Sequence, residues 1–312
     1  MVKRAWLLMV LGLVMTACEK PLIEGAGNQS QSEEDGANVR LRFSLYDMQD
    51  FTRAVSPLLG GCTRLSVAIF NEGGTKIKSI QQTASDAAFG TAAVLLTDGT
   101  YTVVAVAHSS TEGHATITST EKVTFANNKM TDTFAACETF TVGEQPTNTD
   151  EQAEAGIPIS EDSEVDRTIT LHRVVAMVRL TVKGTIPDEV KRFKFYYTGG
   201  SSTLNPTTGY GCVQSKQTEY RSTVCGDTIA TTYELFTAPH DLNDVLKLVI
   251  TAQDQSGATK GEWTMDNVPV TRNKITTWTG RLFKDNGTGE QIDGGISLTL
   301  NPTWDGTVNY TW

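Results

Sequence analysis

Few side chains in this chain could do covalent or acid–base chemistry. It has five cysteines and four histidines among 312 residues. His108 and His114 flank a polar loop and lack a matched cysteine or carboxylate, so they make a poor zinc site and read as loop histidines. His172 falls inside an expected strand beside Arg173, and His240 is the fourth histidine. No GxSxG elbow, HExxH helix, phosphate-binding glycine loop or EF-hand loop occurs. Sandwich glycosidases use two carboxylates scattered in sequence, and Asp254 and Asp305 have suitable neighbours, but any acidic chain offers such pairs. The expectation is therefore no enzyme, no catalytic residues, no metal and no cofactor.

The cysteine with a chemical context is Cys18. Lys3 and Arg4 precede an apolar run from Ala5 to Met15, and Thr16 and Ala17 stand immediately before Cys18. That is the three-part layout of a secretory signal. The run is shorter than the ~20 apolar residues a spanning helix needs, so it is a signal and not an anchor. Met15-Thr16-Ala17-Cys18 resembles a lipobox, with Met15 where leucine is commoner. The expected chemistry is thioether formation between Cys18 and a diacylglycerol, cleavage between Ala17 and Cys18, and acylation of the new N-terminus by a palmitate-type chain. Each buried methylene contributes about 0.8 kcal/mol, so one chain holds reversibly and several hold durably. The alternative is an ordinary signal peptide with an incidental cysteine.

Cleavage would leave 295 of the 312 residues, and losing Lys3 and Arg4 takes the net charge from −10 to −12. Such a chain has room for two cores. Its acidity argues against nucleic acid or an anionic membrane surface as the main partner. Four cysteines remain besides Cys18, and in an exported chain an even count suggests disulfides. Cys212 with Cys225 would close a short loop for about 3 kcal/mol. Cys62 with Cys137 would then tie two ends of the first domain. The alternative is buried thiols.

These groups must be carried by elements, and the chain reads as all-β. Residues 1–17 are the signal and 18–37 a polar, turn-rich tether ending in Glu33-Glu34-Asp35. From Val39 the pattern alternates, with Val39, Leu41, Phe43 and Leu45 on one face and Arg40, Arg42 and Ser44 on the other. Leu65, Val67 and Ile69 repeat it, and Asn71-Glu72-Gly73-Gly74 turns the chain into residues 76–80. Residues 94–96 and 101–107 are expected to form a hairpin about Asp98-Gly99, and residues 122–125 and 134–141 another about Asn127-Asn128. Apolar residues thin out between Val142 and Asp166. The domains are accordingly placed at 38–155 and 156–312, the second opening with one long strand, 168–182. Segments 193–197, 245–252, 261–265, 275–283, 296–300 and 308–312 follow, with a helical turn only at 187–192. Many short strands with Gly, Asn and Asp turns make a β-sandwich.

Three stretches together resemble the fimbrillin superfamily of Bacteroidales-type fimbriae, in particular its anchor-subunit branch of lipoproteins. They are Thr52-Arg53-Ala54; Ile157-Pro158-Ile159-Ser160 with Leu171-His172-Arg173-Val174-Val175-Ala176-Met177-Val178; and Val268-Pro269-Val270-Thr271-Arg272-Asn273-Lys274-Ile275-Thr276, which looks like the family's late hairpin. The resemblance implies two transthyretin-like β-sandwich domains, a place at the outer membrane on the cell surface, and other fimbrial subunits as partners. It also implies two fates. Stalk and tip subunits are cut after an arginine, here between Arg53 and Ala54, which removes the first strand and opens a groove for a neighbour's strand; anchor subunits keep lipid and strand. A loop arginine with no such role is the alternative for Arg53. The short end, Thr307 to Trp312, leaves little chain to donate and favours the anchor. A third possibility is a glycan-binding surface lipoprotein using Tyr196, Tyr197, Tyr210, Trp263, Trp278 and Trp304 as stacking faces, which requires those rings to be exposed. A host protein or glycan ligand stays open on any of these readings.

Overall fold

The computed structural model describes residues 37–46, 59–143, 165–223, 230–284 and 298–301. The first half of these residues contributes β1 (Ala37–Leu45), β2 (Arg64–Asn71), β3 (Lys76–Thr83), β4 (Thr91–Leu96), β5 (Gly99–His108), β6 (Thr116–Ser119), β7 (Lys122–Thr124), β8 (Thr133–Val142) and β9 (Val165–Arg173). The second contributes β10 (Ala176–Lys183), β11 (Arg192–Thr198), β12 (Thr203–Asn205), β13 (Tyr210–Gly211), β14 (Lys216–Ser222), β15 (Thr231–Thr237), β16 (Asp244–Gln253), β17 (Thr259–Val270), β18 (Ile275–Arg281) and β19 (Leu298–Asn301). The fold is all-β, as expected. Among the described residues there is no α-helix, and the expected helical turn at 187–192 is a tight turn closed by Val190 N–H on the Pro187 carbonyl at 2.9 Å.

The two halves repeat one topology. In the first, β4-β1-β9 and β3-β2-β5-β8 enclose the core as two arms of one seven-stranded sheet joined by a short β8–β9 pairing; in the second, the sheets β15-β10-β18-β19 and β14-β11-β16-β17 are separate. The opening strand of each half lies between an antiparallel neighbour, β4 or β15, and a parallel one, β9 or β18. Inward side chains build a separate core in each half: Leu41, Phe43, Leu65, Ile69, Val103 and Leu171 in the first, Leu180, Phe193, Phe195, Leu248 and Trp278 in the second.

The segment 168–182 is therefore not one strand. β9 ends at Arg173, Val174 and Val175 are buried at the break, and β10 begins at Ala176. Ile169 and Leu171 belong to the first core. Two expected hairpins also dissolve. β4 pairs only with β1, whereas β5 pairs with β2 and β8; β7 pairs with β6 and β12, not β8. Likewise β17 and β18, the expected late hairpin, lie in different sheets. The reason is common to all three: period two identifies a strand's buried face but not its neighbour, and a short link can cross a sandwich as readily as reverse along a sheet. The β2–β3 hairpin does form, with a register shift at Phe70.

A third core joins the halves. Ala68, Phe70, Val104, Val106 and Ala135 point away from the first core and meet Ile117 and Val123 of the β6–β7 hairpin together with Leu204 and Ala238 from the second half. Main-chain pairing of β7 with β12 makes one small sheet, β13-β12-β7-β6, from both halves. That cover explains why β2 and β5 are apolar on consecutive positions: both of their faces are buried.

Candidate assembly site

β1 is the element on which the expected biology turns, and it is held on both sides. Seven residue pairs, Val39↔Val165 to Leu45↔Leu171, join it in parallel to β9. Six, Ala37↔Leu96 to Arg42↔Thr91, join it antiparallel to β4. Phe43 N–H on the Gly90 carbonyl and Tyr46 N–H on the Leu171 carbonyl, both 2.8 Å, extend the grip past the last pair. Val39, Leu41 and Phe43 are at most 1% exposed and fill the first core. Burying three such side chains contributes roughly 5–9 kcal/mol. Arg40 and Arg42 face outward, and Arg42 meets Asp166 at 2.9 Å in an exposed pair that adds little.

Next to β1 lies an uncharged edge, as β6, β13 and β19 are elsewhere. β3, β14, β15 and β17 all carry charged residues, such as Lys76 and Lys78 on β3 and Glu234 on β15. β4 reads Thr-Ala-Ala-Val-Leu-Leu, with Leu95 52% exposed and Ala93 also outward. Charged edges discourage strand addition, and an uncharged one with free main-chain groups invites it.

Cys18, Ala17, Arg53, Ala54, Cys225, Trp304 and Asp305 lie outside the described residues. The Cys62–Cys137 bridge is not formed, and both thiols are free. Cys62 packs in the first core, whereas Cys137 lies against the third core and touches Thr207 Oγ1 at 3.8 Å, so the sheet itself stands between them. Burial above all, then Asp132, pushes the Cys62 thiol up to about 12, which leaves it inert. Cys212 is also free, exposed, with its Sγ 3.3 Å from the Glu121 carbonyl. No disulfide exists among the described residues.

The other chemical candidates resolve into structural parts. His108 is 2% exposed and stacks edge-on against Phe125; His240 bonds Asp244 at 3.0 Å. No group of three or more potential metal ligands occurs among the described residues. Asp254 organises a turn, accepting from the Ser256 and Ala258 amides and from the Ser256 hydroxyl, which foremost holds its carboxyl down to about 2. Tyr197, Trp263 and Trp278 are buried, so they cannot form a stacking platform. Tyr196 and Tyr210 are half-buried. A buried carboxylate that sequence reasoning missed, Glu219, accepts from Tyr197 Oη at 2.8 Å and from Arg221, beside a cleft of 190 Å³ between the halves.

Two stretches singled out in the sequence meet at the junction. Arg173 grips Asp132 with Nε and Nη2 at 2.7 and 3.0 Å, reaches Asn273 Oδ1 at 3.2 Å, and lies 4.4 Å from the centroid of the Phe134 ring. Asn273, at φ 57°, donates its amide to the Val175 carbonyl at 2.8 Å. The left-handed conformation suits asparagine, whose short polar side chain tolerates it.

The sequence matches the family model of the fimbrillin-A associated anchor proteins Mfa1 and Mfa2 over residues 30–305. The chain belongs to this family of fimbrillin-A associated anchor proteins. Membership makes it a fimbria-associated protein of the cell envelope, in a structural family. Among solved structures, a candidate adhesin from Bacteroides ovatus is similar at 14% identity, with 85% of this chain and 95% of that chain covered and a TM-score of 0.50. The fimbrial anchor protein Mfa2 from Porphyromonas gingivalis is similar at 12% identity, covering 85% and 98%, with a TM-score of 0.47. Comparison with curated proteins gave no match. In this anchor-protein family member, Arg173 and Asn273 meet at the junction of the halves and β1 is paired along both edges.

Proposed function

We propose that this chain is the lipidated component that attaches a fimbria to the outer membrane. Cys18, acylated after cleavage behind Ala17, holds the membrane; the polar tether gives reach; the body engages another fimbrial subunit. The carrying observation is the seat of β1, paired on both edges and filling the first core. A subunit designed to lose this strand would give up that burial and leave β4 and β9 facing an open slot, whereas an anchor keeps it. Arg53 and Ala54 come after β1 and before β2 in the sequence, so a cut there would separate β1 from the rest of the chain. The body itself divides into two sandwiches, and the place for the division is Val174-Val175 rather than 155–156, since β9 completes the first sandwich. The uncharged β4 edge is where we place the partner, as an added strand.

Intact mass and N-terminal analysis of the protein taken from the native cell surface tests the role. Acylated Cys18 at the N-terminus, in detergent-extracted membrane, is the expected result. A chain beginning at Ala54 in assembled fimbriae overturns it.

A further inference from the structure

We propose that the outer face of β14, β11 and β16 is a binding surface for an acidic polysaccharide. The chain is acidic, at −10 overall, yet the outward positions of these three strands carry Arg192, Lys194, Lys216 and Lys247 and no carboxylate. Among the described residues, carboxylates border it on the flanking strand β17, at Glu262 and Asp266, and past the Arg192 end, where Asp254 and Glu189 meet Lys260. The basic surface is therefore local and bounded, not a general attraction of the molecule for polyanions.

The register orders it into rows. Lys216 and Lys247 flank Thr198 at one end; Tyr196 sits between Thr218 and Val249; Lys194 sits between Tyr220 and Thr251; Arg192 closes the other end. Rows two residues apart give a strip of about 20 Å, with neighbouring strands about 4.8 Å apart, long enough for several linked sugar rings. Tyr220 is 52% exposed, and the Arg192 guanidinium lies 4.9 Å from its ring centroid while donating to Gln253 at 2.9 Å. Lys194 and Lys216 have no ion-pair partner among the described residues. Lys247 meets Asp266 at 3.3 Å, but both are more than half exposed, so this pair yields readily to a ligand.

The chemistry favours a sugar over a protein. A protein interface needs a desolvated apolar centre, and between Lys216–Lys247 and Arg192 the strip offers only Val249 as an aliphatic side chain, half-buried. Hydroxyls, amines and tyrosine rings suit a hydroxyl-rich polymer bearing carboxylates: the cations answer its charge and the rings its pyranose faces.

The test is retention of the purified full chain on immobilised polygalacturonate, with dextran as neutral control and poly-L-glutamate as a protein-like polyanion. Retention that falls with salt, absent on dextran and stronger than on poly-L-glutamate, is expected. K194E/K216E weakens it more than about ten-fold, equal to ~1.4 kcal/mol, and K194Q/K216Q shares the direction of the loss with less risk to folding, which circular dichroism checks. K78E/K122E, with the same change in net charge away from the face, leaves it intact. Y196A/Y220A weakens retention on polygalacturonate and spares that on poly-L-glutamate. No retention, equal retention on the two polyanions, or equal loss in K78E/K122E overturns the proposal.

Discussion

The two sandwiches share one strand order but hold their opening strands differently. β10 is fed directly from β9 through Val174 and Val175, both buried, and its side chains pack in the second core while the break beside it packs in the third. β1 buries Val39, Leu41 and Phe43 and turns Arg40 and Arg42 outward, whereas β10 buries Ala176, Met177, Val178, Leu180 and Val182; only the C-terminal end of β1 runs on into the body. The two strands thus differ in whether they can leave without cutting the fold in two, and chain topology sets that difference.

The most severe way to probe it is to put a charge under each strand. Leu41→Asp and Leu180→Asp each bury an unpaired carboxylate at a position that is fully enclosed, at a cost above about 4 kcal/mol. Hydrogen exchange is expected to rise in β1, β4 and β9 for Leu41→Asp while β10 to β18 stay protected. Leu180→Asp is expected to unprotect both halves, since β10 abuts the third core. Equal loss of protection throughout in both variants would mean that β1 is no more separable than β10.

Next in size is Arg173, which pairs with Asp132 inside the first half and reaches Asn273 across in the second. Arg173→Met leaves Asp132, whose side chain is 29% exposed, without its bidentate partner. We expect a loss of about 3 kcal/mol, partly recovered in Arg173→Met/Asp132→Asn, as for a mostly buried pair broken on one side. In a calorimetric scan the single variant should split one transition into two; an unsplit transition would assign coupling to the apolar third core alone.

How much of this was legible beforehand depended on which physical rule was in play. Alternation named Val39, Leu41 and Phe43 as the buried face of the first strand, because one covered face leaves a period of two. The same rule failed on β9–β10, where a strand hands over from one core to the next without a Gly, Pro or polar break. The doubly apolar runs in β2 and β5 carried a signal of a covered outer face, which points to the third core, but what covers it, β6–β7 and β12, is set by long-range pairing that no local pattern encodes. Arg173 and Asn273 stood out only through the family resemblance. Counting cysteines misled, since parity says nothing about which face of a sheet a thiol occupies.

A comparable effect, confined to acid, comes from His108, buried at the end of β5. Burial, with the cationic neighbours His114 and Arg64, pushes its pKa from 6.5 down to about 4. The unfolded chain therefore binds this proton first, so stability is full above about 6.5 and falls as pH drops toward 4, by ~3 kcal/mol. His108→Phe should flatten that part of the stability–pH curve, measured by denaturant titration at pH 7 and pH 4.5; an unchanged slope would place the acid sensitivity in other groups.

The smallest effect on stability should be the most telling for assembly. Ala93 points outward on the uncharged β4 edge, and Ala93→Lys gives that edge the guard that β3 already has in Lys76 and Lys78. An exposed substitution of this kind shifts stability by no more than about 0.5 kcal/mol. A lysine on the edge still hinders an incoming strand, because the strand must desolvate the ammonium to pair beside it. Thermal unfolding is thus expected to be unchanged while co-purification of the variant with its fimbrial subunits is lost. If the subunits still co-purify, the partner docks elsewhere than on β4, and the contrast between the two sandwiches then rests on how their first strands are held, without a docking role for the edge beside β1.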